Sequence, residues 1–257
     1  MLPTAKVEDA VLKSVPRSVT LTVTASPAKP LDVTLSQAER FAAQGYDVVP
    51  HLAARMISGR SELTEIIARL GAAGVTKVFV PGGDADPVGD YHSSVDLLKD
   101  LAVIPHPFVH VGITGYPESH PAIHDDVTIQ SMWDKRTYAT HIVSNMTFDP
   151  KLVTAWVGRL RRRGVALPVL VGLPGPVETA KLVAMGTRIG VGESLRFLTK
   201  QKRTMSRLLA PGYTPERFLS VVGHSAEDPQ ARIGGLHLFT FNQVAQTEAW
   251  RQELLSS

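Results

Sequence analysis

The sequence predicts an α/β protein of the (β/α)8 TIM-barrel class, on three observations. Short β-branched runs alternate with segments of helical period from Val19 to Leu255, the pattern of parallel strands joined by right-handed crossovers. Seven of these runs read as strands and an eighth, Arg188 to Val191, is short, which favours a barrel over an open doubly wound sheet. The length of 257 residues suits one barrel with no internal linker. Residues 1–257 are therefore read as a single domain, with residues 1–15 as an N-terminal extension.

Taken in order, Ser18 to Ala25 is rich in Val and Thr and stops at Ser26-Pro27, a strand followed by a loop. Thr34 is positioned to cap a helix over Leu35 to Gln44, which Gly45 ends. Asp47 to Leu52 is the next strand. Ser61 is the expected cap of a helix carrying Leu63, Ile66, Ile67 and Leu70 at helical spacing. Lys77 to Pro81 is a third strand that breaks into Gly82-Gly83-Asp84, Ser93 to Leu101 a short helix, and Val109 to Tyr116 a fourth strand. Ile123 to Tyr138 reads as helix and His141 to Phe148 as strand. Asp149-Pro150 then opens a helix to Arg163, proline being harmless in a first turn where no amide bond is lost. Pro168 to Pro174 is a strand, Val177 to Met185 a helix, and Leu195 to Leu209 and Pro215 to Val222 two more helices. Leu236 to Phe241 is the last strand, and Val244 to Leu255 a terminal helix with Trp250 on its apolar face.

Composition excludes several classes. Apolar residues make up 44% of the chain, enough for a large core, yet no apolar run approaches the roughly 20 residues that span a bilayer. No membrane association is expected. The absence of cysteine removes disulfides and thiolate chemistry together and fits a cytoplasmic protein. A net charge of +3 gives no reason to expect nucleic acid, while a homo-oligomer stays open. No glycine-rich dinucleotide fingerprint follows a strand, no serine sits in a nucleophile elbow, and His120 with His124 and Asp125 has no further metal ligand beside it. The arginines Arg159, Arg161, Arg162 and Arg163 close a helix where cations favour the dipole, and read as a solvated helix end.

Chemistry in a parallel barrel gathers at the C-terminal ends of the strands. Those ends carry Thr22 to Ser26, His51, Gly82 to Asp84, Tyr116 to His120, Asn145 to Asp149, Pro174, and Phe241 to Gln243. The densest is Tyr116-Pro117-Glu118-Ser119-His120-Pro121, where one apolar strand delivers a phenol, a carboxylate and an imidazole to one exit.

Pro50-His51-Leu52, Gly82-Gly83-Asp84, Tyr116 to Pro121, Phe148-Asp149 and Gly235 to Asn242 resemble, in this order, the strand ends of methylenetetrahydrofolate reductases. The resemblance runs over about residues 16 to 255, and Tyr-Pro-Glu-x-His-Pro is its most specific part. It implies a flavin-containing (β/α) barrel that reduces 5,10-methylenetetrahydrofolate to 5-methyltetrahydrofolate with NADH or NADPH. Carried over position by position, it implies FAD contacts from Thr22, His51, Asp84, Tyr116, His120 and Lys135. Asn145 stands where the family has a glutamine that holds the pterin, and Phe241 falls among the substrate contacts.

The chain also departs from the family pattern. Gly82 replaces an arginine before Gly-Asp, and Gln243 an arginine after the last strand. The family's first strand carries a glutamate that acts as the acid, and no such residue is found here. If Ser18 to Ala25 is that first strand, the acid falls near Thr24; if it is the second, with Thr22 as the flavin-facing threonine, the first βα unit is altered or absent. Glu118, if burial at the mouth raises its pKa, is then the nearest substitute as proton donor, and Asp84 is the other catalytic candidate. Three functions follow: a flavin-dependent reductase, a flavin-independent NAD(P)H-folate reductase, and a folate-binding protein without catalysis.

Overall fold

The computed structural model describes residues 1–118, 125–176 and 216–256. These form two compact units, one of Met1–Thr114 with Asp134–His141, the other of Gly115–Trp133 with Ile142–Ser257.

The first unit begins with α1 (Ala5–Ser14), so ten residues of what the sequence offers only as an extension are helical. Thr4 caps α1 by accepting from the Val7 amide at 3.2 Å, and Val7 and Val11 are buried. Met1 takes the place of a strand residue: its nitrogen donates to Thr22 O at 2.9 Å and its carbonyl accepts from Thr24 N at 2.9 Å, the parallel pattern opposite Val23. Then follow β1 (Leu21–Val23), α2 (Leu31–Ala43), β2 (Val48–Pro50), a 3-10 turn (Ala54–Met56), α3 (Arg60–Ala72), β3 (Lys77–Phe79), α4 (Ser94–Leu101) and β4 (His110–Gly115). β1 pairs with β2 and β3 with β4, all parallel, and a parallel bridge from His51 to Phe79 joins β2 to β3.

Two expected caps are corrected. The helix α2 starts at Leu31 after Pro30, and Thr34 lies inside it with its hydroxyl donating to Thr24 O at 3.3 Å. Buried Leu31 extends the apolar stripe one turn upstream of Leu35, and that burial outweighs the cap. The helix α3 starts at Arg60, not after Ser61, because Glu62 turns back to the Ser58 amide and hydroxyl, both at 2.7 Å. By contrast Ser93 and Asp96 form the capping box that opens α4.

In the second unit, α5 (Asp125–Lys135) ends across the unit boundary and β5 (His141–Ser144) begins there; α6 (Pro150–Arg162), β6 (Val169–Pro174), α7 (Glu216–Ala226), β7 (Ile233–Phe239) and α8 (Val244–Ser256) follow. β6 pairs in parallel with β5 and with β7. The strand expected over His141 to Phe148 stops at Ser144, because the Asn145 side chain caps the next amide, Oδ1 accepting from Met146 N at 2.9 Å. Arg161 is not solvated as expected: its guanidinium donates to Ala231 O at 3.1 and 2.7 Å and to Val165 O at 2.5 Å, stapling the loops that precede β6 and β7. Burial and nearby Arg232 lower its pKa.

Among the described residues strand, helix, parallel strand is thus the recurring order, the α/β class of a (β/α) barrel. The expected elements at residues 177–185, 188–191 and 195–209 lie outside the described residues. Core packing is dense around β4 to β6. A Cβ on Gly115 would sit 2.6 Å from both Ile142 and Trp156, and one on Gly172 would sit 2.3 Å from Ser144 O, so these strands accept no side chain there.

Candidate functional site

In the first unit the strands have unlike faces. Leu21, Val23, Val48, Val78, Val80, Val111 and Ile113 are all buried on one face, as a strand covered by helices requires. The opposite face carries Thr22, Thr24, Val49, His51, Lys77 and His110, half-buried or exposed, with Phe79 and Gly112 between them. A polar strand face in a parallel sheet costs stability unless it holds something, which makes it the first place to look for a ligand.

Thr22 and His51 lie on neighbouring strands of that face. Thr22 is in register with Val49, and the His51 amide donates to Val23 O at 2.9 Å, continuing the β1–β2 pairing past Pro50. The His51 ring lies against the Phe79 ring, centroids 4.6 Å apart and planes at 50°. Asp84 is exposed, in the loop after β3. That loop is fastened to the one after β2, since Ala54 N donates to Pro81 O and Arg55 N to Gly82 O, each at 3.0 Å. Gly83 takes the left-handed backbone that the close approach demands, with φ +90° and a prospective Cβ 3.3 Å from the Ala53 Cβ. A Cβ at Gly82 would meet nothing within 4 Å, so the position lacking an arginine is open. Arg55, which the sequence reading passed over, stands on that fastening with Nε donating to His92 O at 2.9 Å. Only its spacing from Pro50-His51 could have marked it.

Lys135 ends α5 and is 6% exposed. Burial lowers its ammonium to a pKa of about 8, with Asp134 pulling the other way. A buried cation of this kind is stabilised by any anion brought to it.

In the second unit Tyr116 is half-buried, and Pro117 and Glu118 are buried, Glu118 to 6% exposure. His120 lies outside the described residues. Asn145 follows β5, its amide donating to Gly115 O at 2.6 Å and its carbonyl accepting from Ser144 Oγ at 2.9 Å. Ser144 Oγ in turn accepts from Gly172 N at 2.8 Å, so the strand end is tied on two sides.

Phe241 lies in a tight turn after β7. Gln243 N donates to Thr240 O at 2.7 Å, and Phe241 and Asn242 have φ of 49° and 62°. Two positive φ values closed by that bond describe a type I′ turn. Asparagine tolerates the left-handed region, but a phenylalanine there is an outlier. The Thr240 hydroxyl is buried with no hydrogen-bond partner among the described residues. Strain and an unsatisfied polar atom at one strand end are marks of a functional position.

A family model described as methylenetetrahydrofolate reductase matches residues 7–191. Among solved structures the chain is similar to a lyase/mutase from Burkholderia cenocepacia J2315, at 15% identity and a TM-score of 0.51, covering 98% of this chain and 77% of that one. It is also similar to 2,3-dimethylmalate lyase, a member of the PEP mutase/isocitrate lyase superfamily, at 13% identity and a TM-score of 0.45, covering 84% and 85%. At 15% identity the likeness to the first of these is one of fold alone.

Proposed function

As the chain belongs to the methylenetetrahydrofolate reductase family, we propose that it interconverts 5,10-methylenetetrahydrofolate and 5-methyltetrahydrofolate, with FAD as cofactor and NADH or NADPH as the nicotinamide nucleotide. The observation that carries the reading is the polar face of β1 to β3, where Thr22 and His51 stand on adjacent strands beside an aromatic ring.

The residues fit a flavin. Thr22 and His51 offer hydroxyl and imidazole hydrogen bonds, Asp84 a carboxylate, and the buried Lys135 ammonium a partner for phosphate. Tyr116 and His120 are the further contacts. The open position at Gly82 removes one cation, a loss worth about 1–3 kcal/mol beside a pyrophosphate. Arg55, anchored on the same loop pair, is the residue placed in sequence to compensate. When bound, flavin relays hydride between the nicotinamide and the folate carbon.

Folate chemistry falls to the second group of residues. Opening the methylene bridge requires a proton on the departing nitrogen, leaving an iminium that accepts hydride. Buried Glu118 is the donor this chain offers in place of the family's acid. Asn145, oriented by its own bond to Met146 N, holds the pterin, and Phe241 packs on the substrate.

The test is FAD titration of the purified protein together with NADH- and NADPH-dependent reduction of 5,10-methylenetetrahydrofolate. Saturable FAD binding and FAD-dependent turnover support the reading. Turnover by a protein that binds no flavin indicates direct nicotinamide-to-folate transfer, and folate binding without turnover indicates a binding protein; either result overturns it.

A further inference from the structure

The polar face of the first unit contains a row of contacts that leads from the N-terminal end of β5 to His51. His141 opens β5, and its Nδ1 lies 2.9 Å from Thr140 Oγ1, which also accepts from the Val111 amide at 3.0 Å. The ring is thereby pinned on one side. Its other side lies over Gly112 of β4: a Cβ built there would be 2.7 Å from His141 Nε2 and 3.1 Å from Cε1. The same Cβ would be 3.1 Å from Cδ2 of Phe79, which is in register with Gly112 on β3. Imidazole and phenyl ring thus both border the space a side chain at residue 112 would fill. Phe79 in turn lies against His51, both through the rings at 4.6 Å and through the backbone bridge, with Leu52 N donating to Phe79 O at 2.8 Å.

We propose that His141 is a positioning residue for His51: its imidazole fills the gap at Gly112 and holds Phe79, and Phe79 holds the His51 ring at the ligand face. Close-packed interiors transmit a displacement of this kind because no void exists to absorb it. His141 serves as a neutral group of fixed shape. Burial, then His110, then Lys77 lower its pKa to about 4, so it carries no charge at neutral pH. A charged ring would instead be drawn towards water and leave Phe79 unsupported.

The link to His51 stands on packing alone, whereas its consequence for cofactor binding rests on the flavin reading above. Both are tested in the full-length protein with Gly112→Ala, His141→Ala and the double variant. The readouts are the His51 ring-proton resonances, whose shift reports the Phe79 ring current, and FAD titration. The added methyl of Gly112→Ala displaces both rings, so the His51 resonances move and FAD affinity falls about tenfold, roughly the effect of a 1.4 kcal/mol change. His141→Ala also moves the resonances by letting Phe79 relax. In the double variant the methyl occupies the vacated space and both readouts return towards wild type, the non-additivity expected of residues in contact.

Unmoved His51 resonances in folded Gly112→Ala or His141→Ala overturn the inference, as does strict additivity in the double variant. Moved resonances with an unchanged FAD titration uphold the positioning role and count against the flavin reading instead. If Gly112→Ala fails to fold, His141→Ala alone carries the decision.

Discussion

In the first unit Thr22 and His51 ride on ordinary strand backbone, and the left-handed residue in the loop near Asp84 is a glycine, Gly83, which takes it without strain. In the second unit Phe241 and Asn242 carry the left-handed backbone themselves, Thr240 keeps a buried hydroxyl with no partner among the described residues, and Glu118 is a buried carboxyl group. The first arrangement costs little and suits a face that grips a large, many-contact ligand. The second costs on the order of 1–3 kcal/mol per strained residue and persists only where a side chain must stand in one place. In the proposed reading this contrast separates most of the cofactor contacts, in the first unit, from the folate contacts and the proton donor, in the second.

The largest test of that division is Glu118→Gln. Size and hydrogen bonding are kept but no proton can be delivered, so reduction of the folate is expected to fall by about 10² to 10⁴. Transfer from nicotinamide to flavin needs no such proton and is expected to survive. Stopped-flow measurement of each half-reaction separates the outcomes: equal loss in both halves makes Glu118 a structural residue and breaks the division, and unimpaired folate reduction removes it as the acid.

Lys135 sharpens the holding side. Its folded pKa of about 8 lies below the ordinary 10.5, so between these values the unfolded chain binds a proton that the folded chain does not. Stability without ligand should therefore rise with pH from about 8 to about 10.5, by at most about 3.4 kcal/mol. Denaturant unfolding across that range checks the slope, and Lys135→Met should abolish it. With saturating FAD the ammonium gains an anionic partner, its folded pKa rises, and the slope should flatten. A slope untouched by FAD would remove Lys135 from the cofactor contacts.

The smallest expected effect concerns the turn after β7. Phe241→Asn replaces a residue that resists positive φ with one that tolerates it, and should raise stability by about 1 kcal/mol while weakening folate binding. Thermal unfolding and folate titration read the two changes separately. A loss of stability would mean that the ring is held by packing and not for a ligand, and the contrast between the units would lose its basis.

Much of this was legible in the residues. The alternation of Val- and Ile-rich runs with helical periods located every described strand and nearly every described helix, because burial of one face imposes its period on the local sequence. Local chemistry was equally readable where it acts over three or four residues: Ser93 with Asp96, and Asp149 with Pro150, open their helices as expected. It failed at Thr34 and Ser61, where burial of Leu31 and the return of Glu62 to Ser58 moved the helix starts upstream.

What the sequence determined by itself was the parallel α/β class, the strand ends that carry polar groups, and the family elements around His51, Asp84 and Tyr116 to Pro121. Only the tertiary structure decided that Met1 stands beside Val23 with α1 after it, that Arg161 staples Ala231, and that His141 and Phe79 border one space over Gly112. Each of these joins residues about 20 to 70 positions apart, and local periodicity carries no information about strand register or about which side chain fills a neighbour's missing one. A glycine in a strand reads in sequence as a weak point; here the space it leaves is occupied, and its occupant could be identified only once the strands were side by side.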